Sequence, residues 1–344
     1  MRYLSLCFAV MVSLLSNSHA QNFPMRPISL IVPNPPGGLV DTSARLVAEP
    51  LSRLLGQTVV VDNKPGASGN LAYQTVAKSA KDGYTLLVSY SGYHVANHIL
   101  MDKVSWELKE LVPIGLITVA TNVIAVHPSM PVSNMKEFIA YLKQNGSKVN
   151  YASQGNGSVS HIGTEILKQQ TAVDMVHVPY KGSGQAIQDV LSGQVQVFIT
   201  TPPSVMGHVQ AGKLKALAVT GKIRHPQMPQ VPTTAEAGFP NFELESWVAL
   251  YAPAGTPSAV LQKLSTDVKK AMESPETKQR ADAAGIEVRY LAPTEMNKLL
   301  DSDIASWSIA IKQAKIKLNW IDGSIDASII CVDRLIVSPW SFVT

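Results

Sequence analysis

Residues Ile28–Leu55 read ISLIVPNPPGGLVDTSARLVAEPLSRLL. Ile28, Leu30 and Ile31 carry a strand pattern, and Pro35-Pro36-Gly37-Gly38 is a rigid turn that permits close backbone approach. Ala44, Val47, Ala48, Leu51, Leu54 and Leu55 then recur at helical spacing. A strand that passes through such a turn straight into a helix delivers unpaired N–H groups to one spot, with the positive end of the macrodipole behind them. An anion there gains roughly 0.3–1 kcal/mol, rising to about 2 kcal/mol when partly buried. No Lys or Arg lies in the turn, so an anion would be held by backbone, not by a salt bridge. Asp41, in the first helical turn, fits amide capping and dipole compensation rather than general-base chemistry. Pro50 stands inside the helical pattern and predicts a kink or an early end.

The same logic returns later in the chain. Val149–Ala152 is a strand, Ser153-Gln154-Gly155-Asn156-Gly157-Ser158 a small polar turn, and Val159, Ile162, Ile166 and Leu167 begin a helix. Strands at Val59–Val61, Thr85–Ser89, Val123–Val126, Val176–Val178, Val195–Ile199, Leu217–Val219 and Trp247–Tyr251 alternate with helical stretches. One of these helices runs from Met135 to Leu142 with Ser133 as its N-cap, and another spans Ser204–Ala211. Alternation of this kind predicts α/β layers, and two strand-turn-helix sites in separate halves predict two domains facing each other across a cleft.

Residues 1–20 carry a short basic start at Arg2, an apolar run from Tyr3 to Leu15 and a small-x-small Ser18-His19-Ala20, the pattern of a cleavable export signal. Cys7 falls inside that segment, so Cys331 is the lone cysteine of the expected mature chain and no intramolecular disulfide forms. The 344 residues carry 29 Lys and Arg against 25 Asp and Glu, a net charge of +4, with no basic run suited to nucleic acid. A soluble exported protein is the class these features bound.

Other chemistry is poorly supported. The loop Gly66–Gly69 resembles a dinucleotide fingerprint only loosely, without the downstream acid such a site needs, and neither a GxxxxGK[ST] nor a GxSxG motif is present. His94 and His98 stand at i, i+4 without a third ligand or an adjacent Glu, which favours core or surface histidines. Ser160 and His161 are adjacent on a helix and point to different faces. No nucleophile–base pair is readable, so the sequence assigns no catalytic residue, metal ligand or cofactor.

Several further motifs occur in a fixed order: Ile31-Val32-Pro33 with Pro36-Gly37-Gly38, Asp41 and Ala44-Arg45; Val61-Asp62-Asn63-Lys64-Pro65-Gly66-Ala67; Asp82-Gly83-Tyr84-Thr85-Leu86; Asn150-Tyr151; and His177-Val178-Pro179-Tyr180-Lys181-Gly182. Ala216–Thr220, Val231-Pro232-Thr233 with Glu236-Ala237-Gly238, and Ala252–Pro257 complete the series. In this order the chain, from Pro24 to Asn319, resembles the Bug-type periplasmic solute-binding proteins of tripartite tricarboxylate transporters.

The resemblance implies an α/β type II periplasmic-binding-protein fold, two α/β domains with a ligand cleft between them. The expected boundaries are a signal peptide at 1–20, a discontinuous first domain at 21–123 and 246–319, a second domain at 124–245, and an atypical extension at 320–344. It further implies a small carboxylate ligand, a di- or tricarboxylate or an aromatic acid, delivered by a periplasmic monomer to a membrane permease. The alternative partner is a signalling receptor, for which the protein would act as a sensor. Carried over by position, the ligand contacts are Pro36, Gly37 and Gly38 as the carboxylate anchor, with Ser91 and Gly92 beside them. Ser153, Asn156, Gly157 and Ser158 form the opposite wall with Lys181 and Gly182, and Asn122 and Thr200 add contacts near the crossover. Three positions depart from the family pattern. Asn34 replaces a usual Phe or Tyr, Leu39-Val40 follow the paired glycines where Thr is common, and Thr200 stands where Asp is common, which disfavours a ligand bearing a cationic amine.

Overall fold

A computed structural model describes residues 23–316; the expected signal peptide and the extension from 320 lie outside the described residues. The opening stretch forms β1 (Ile28–Val32) and α1 (Leu39–Leu55). β1 lies parallel between β2 (Val59–Asn63) and β3 (Thr85–Tyr90). α2 (Asn70–Ala77) lies between those two strands in the chain and α3 (Ser91–Leu100) follows β3. The sheet is completed by β4 (Leu111–Thr121), then, after a long excursion, by β10 (Glu245–Pro253) and β11 (Glu287–Leu291), in the order β11-β4-β10-β3-β1-β2.

The excursion builds a second sheet. β5 (Val123–Val126), β6 (Asn150–Ser153), β7 (Val176–Pro179), β8 (Val197–Thr200) and β9 (Lys215–Val219) stand in the order β7-β6-β8-β5-β9. Its helices are α4 (Met135–Asn145), α5 (Val159–Thr171), α6 (Ser183–Leu191) and α7 (Pro202–Gln210). The remaining helices, α8 (Ser258–Glu273), α9 (Pro275–Ala283) and α10 (Pro293–Gln313), follow the return to the first sheet. The segments linking the sheets are stitched together at Asn122. Its backbone N–H donates to Thr220 Oγ1 at 2.8 Å, its side-chain amide donates to the Leu244 carbonyl at 3.2 Å, and the Thr220 hydroxyl donates to that same carbonyl at 2.5 Å. Among the described residues no helix is long and apolar enough to cross a membrane.

Local differences from the sequence reading have physical reasons. α1 does not end at Pro50 but continues to Leu55 and stops at Gly56 in the left-handed region. Burial of Leu51 and Leu55 on the core, at about 1.5–3 kcal/mol each, offsets the roughly 3 kcal/mol an interior proline costs. The N-cap of α4 is Asn134, whose Oδ1 accepts the Glu137 N–H at 2.9 Å, while the Ser133 N–H donates to the Glu137 carboxylate. Strand β4 was hidden by Pro113 and Gly115, residues that read as breakers. The sheet absorbs them through register shifts in the β10 pairing, which passes from Thr118 to Leu116 and from Gly115 to Pro113. β11 escaped notice as well, being a half-buried edge strand without strict alternation.

Candidate functional site

The turn after β1 is braced by charge. Asp41, almost fully buried, accepts the Gly37 N–H at 3.1 Å, two Arg45 N–H groups at 3.0 and 3.1 Å, and the Asn63 amide at 3.0 Å. Burial alone pushes its pKa up, but hydrogen bonds from Arg45, Asn63 and Gly37, with the Arg45 charge, together hold it below the ordinary carboxylate value. The capping role read from sequence is therefore seen, and it uses the Gly37 amide. The N–H groups of Leu39 and Val40, in the first turn of α1, find no acceptor among the described residues. Pro36 and Gly37 are exposed; Gly38 is buried.

The turn after β6 is braced by neutral groups. Ser158 caps α5, accepting the His161 N–H at 3.3 Å and donating to the Gly155 carbonyl at 2.6 Å. Ser160 Oγ accepts the Gln154 N–H at 2.9 Å, and His161 Nδ1 accepts the Gly157 N–H at 3.2 Å. Ser160 and His161, though on different helix faces, both serve this turn. Ser153 Oγ is bonded to His177 Nε2 at 2.6 Å, and the His161 and His177 rings stack at 4.2 Å with an interplanar angle of 6°. Burial lowers the His161 pKa to about 4 and that of His177 to about 3, so both imidazoles stay neutral. The Ser153–His177 pair resembles a nucleophile and its base, yet Ser153 is fully buried and its oxygen also accepts the Gly155 N–H. Neither residue lines the cleft described below.

Each turn meets the half it faces. A Cβ built on Gly38 would lie 3.0 Å from Ser183 Oγ, one on Gly182 would lie 2.7 Å from Pro35, and one on Gly92 would lie 2.9 Å from the Val159 nitrogen. Glycine is required at Gly92, which faces backbone, and at Gly182, which faces Pro35, whereas the atom facing Gly38 is a side-chain hydroxyl. Within the second turn sits Gln154, a residue the sequence reading did not single out. Its Nε2 donates to Ser183 Oγ at 2.8 Å and to Thr200 Oγ1 at 3.0 Å, and its Oε1 accepts the Tyr90 hydroxyl at 3.3 Å. Tyr90 Oη also accepts the Val159 N–H at 3.2 Å, and the Tyr93 hydroxyl donates to the Gln154 carbonyl at 3.1 Å. Burial raises the pKa of Tyr90, and that of Tyr93 to about 12, so both remain donors.

These contacts gather four helix N-termini in two pairs linked through Gln154. α7, just beyond Thr200, opens with Pro202 and Pro203 and has no N–H there, whereas α1 at Gly38 packs on α6 at Ser183 and α3 at Gly92 packs on α5 at Val159. Each of the four brings roughly half a positive elementary charge. Beside Gln154 opens a cleft of about 390 Å³ between the sheets, walled by Pro33, Gly66–Gly69 and Tyr93 on one side and Gly155, Asn156 and Pro179–Lys181 on the other. Lys181 is the one charged side chain that lines it among the described residues. The Gly66–Gly69 loop, set aside as a poor dinucleotide motif, is thus a cleft wall. A wider depression of about 590 Å³ gathers residues from the ends of α4 and α5, such as Lys143 and Thr171. It presents helix C-termini, the wrong polarity for an anion.

The other expected positions are occupied structurally. Ser91 Oγ accepts the Trp247 N–H at 3.2 Å, and Asn122 holds the crossover. His94 is buried, edge-on to Tyr73 and Trp106 and tilted against Tyr251, with Nδ1 bonded to Ser89 Oγ at 2.7 Å.

Two α/β layers joined at a crossover, with helix N-termini turned into the intervening cleft, are the architecture of periplasmic binding proteins. Residues 43–316 match the family described as "Tripartite tricarboxylate transporter family receptor", and the chain belongs to that family. It is 35% identical to the protein BugT of Bordetella pertussis over 301 residues, covering 87% of this chain and 92% of BugT. Among solved structures it is similar to R. palustris Rpa4515 with adipate, at 34% identity and TM-score 0.83, covering 86% of this chain and 99% of that one. It is also similar to MatC from Rhodopseudomonas palustris with bound malate, at 32% identity and TM-score 0.79, covering 84% and 100%. The family and the fold are those of solute-binding proteins.

Proposed function

We propose that this protein captures a small organic carboxylate in the periplasm, between two domains that close on it, and presents it to the permease of a tripartite tricarboxylate transporter. The carrying observation is the packing of four helix N-termini, α1 on α6 and α3 on α5, around a buried spot whose side chains are all neutral. Converging dipoles favour an anion, while the lack of a buried cation avoids a bond too strong to release. Relatives solved with adipate and with malate support the same ligand class. In this reading the cleft residues Asn156 and Lys181 and the amides after Gly38 face the ligand, and no residue acts as a catalyst. The Ser153–His177 pair supports the turn instead. Isothermal calorimetry of the purified protein against malate, adipate, citrate and benzoate is expected to show one-to-one binding of at least one acid without turnover. Absence of binding to every acid, or chemical conversion of a bound one, sinks the proposal.

A further inference from the structure

Gln154 is placed where a ligand group belongs. Its carboxamide is nine-tenths buried and bridges both sheets, touching Tyr90 on one and Ser183 and Thr200 on the other. It lines the cleft, whereas Tyr90, Ser183, Thr200 and Gly38 do not. The side chain therefore stands between the cleft and the point where the helix N-termini meet. All three of its partners are hydroxyls, which donate or accept by rotating about the C–O bond. A primary amide uses them in both senses, with Ser183 and Thr200 accepting and Tyr90 donating. A carboxylate has the same planar, two-pronged shape and only accepts. With the hydroxyls of Ser183 and Thr200 turned over, the same three oxygens would all donate to it.

We infer that Gln154 is a specificity-determining residue whose carboxamide occupies the subsite of a ligand carboxyl group, so that a ligand must displace it to bind. This rests on the carboxylate-binding reading above. Only acids that replace all three hydrogen bonds then enter the inner subsite, and neutral or singly hydrogen-bonding solutes are turned away. Affinity for the true ligand is lowered by the same competition, because the protein already satisfies these groups with its own side chain.

Two variants test the inference in opposite directions. Gln154→Ala removes the competitor and is expected to bind malate or adipate about tenfold more tightly than the wild type by calorimetry. Gln154→Glu tethers a carboxylate in the subsite. It is expected to lose binding of the free acids and to melt several degrees above the wild type at pH 7. Weaker or equal binding in Gln154→Ala makes the amide an ordinary ligand contact or a bystander and overturns the inference. So does a Gln154→Glu protein that melts below the wild type, because a subsite built for a carboxylate would accept one. If neither the wild type nor Gln154→Ala binds any acid of the panel, the carboxylate reading itself falls. The Gln154→Glu melting point still reports whether the inner site favours an anion.

Discussion

Two strand-to-helix turns face each other across the cleft, and they are braced differently. The turn between β1 and α1 leans on the Asp41 carboxylate, which gathers Gly37, Arg45 and Asn63. The turn between β6 and α5 leans on hydroxyls and two neutral imidazoles, through Ser158, Ser160, His161 and His177. In both, the residues that meet the facing half, Pro35 and Gly38 in one and Gln154, Ser158 and Val159 in the other, are uncharged. Charge is kept where it stiffens a turn; Arg45 lines a separate depression with Arg280, away from the cleft. The comparison teaches that two stiff turns can cooperate on an anion without either offering it a counter-ion.

The sharpest way to break the comparison is to push the second turn away from the half it faces. Gly92→Val puts a Cβ about 2.9 Å from the Val159 nitrogen and 3.2 Å from the Ser158 Cα, backbone atoms that cannot rotate away. Affinity for the bound acid is expected to fall about 100-fold or more by calorimetry, with circular dichroism unchanged. Retained affinity would show that contact between the second turn and the start of α3 is dispensable.

Next in size is the loss of the charged brace. Asp41→Ala leaves the Gly37 N–H, the Asn63 amide and Arg45 without their acceptor, at an expected cost of about 2–3 kcal/mol in urea unfolding. Ser158→Ala, which removes the neutral N-cap of α5, is expected to cost about 1 kcal/mol. Equal costs would erase the contrast between the two turns.

How much of this was legible in the chain follows from the same contrast. The Pro35–Gly38 turn announces itself, because proline and glycine punctuate locally and Asp41 caps within its own turn. The α/β alternation was legible for the same local reason. Gln154 was not, since its importance lies in Tyr90, Ser183 and Thr200, which are remote in sequence and meet only when both sheets are in place. The Gly66–Gly69 loop is a weak dinucleotide motif by its spacing, and its role as a cleft wall comes from its place in the fold, which spacing does not reveal. Strand β4 was hidden by residues whose breaker character is real but is taken up by its register shifts.

Acid should unbrace the second turn before the first. His161 and His177 titrate at about 4 and about 3 when folded, against about 6.5 when unfolded. Between those values the unfolded chain binds more protons, so stability is fully present above pH 6.5 and is lost as the pH falls toward the folded values. Each group withdraws up to about 1.4 kcal/mol per pH unit. Asp41, held below its ordinary value, loses its contribution only as the pH falls below about 4. Unfolding free energy measured from pH 7 to pH 4 is therefore expected to fall. The double variant His161→Asn, His177→Gln keeps an acceptor at each ring position without titrating there. It should flatten the profile but not abolish the slope, because buried His94, lowered to about 3, titrates in the same window. An unaltered slope would remove the imidazoles from the brace.

The smallest effect is also the finest probe of how the first turn touches the start of α6. Gly38 has a φ of −104°, ordinary for any residue, so alanine there meets no backbone strain. Its Cβ would instead lie 3.0 Å from Ser183 Oγ and 3.7 Å from the Ser183 Cβ. A hydroxyl can rotate where the backbone facing Gly92 cannot. Gly38→Ala is therefore expected to weaken acid binding only about fivefold. Ser183→Ala removes the crowded oxygen and leaves the ordinary 3.7 Å contact. In that background Gly38→Ala should cost almost nothing, whatever Ser183→Ala costs by itself, because a double-mutant cycle isolates the pair. An additive cycle would mean that Gly38 is needed for something other than its approach to Ser183, such as the direction of the α1 amides behind it.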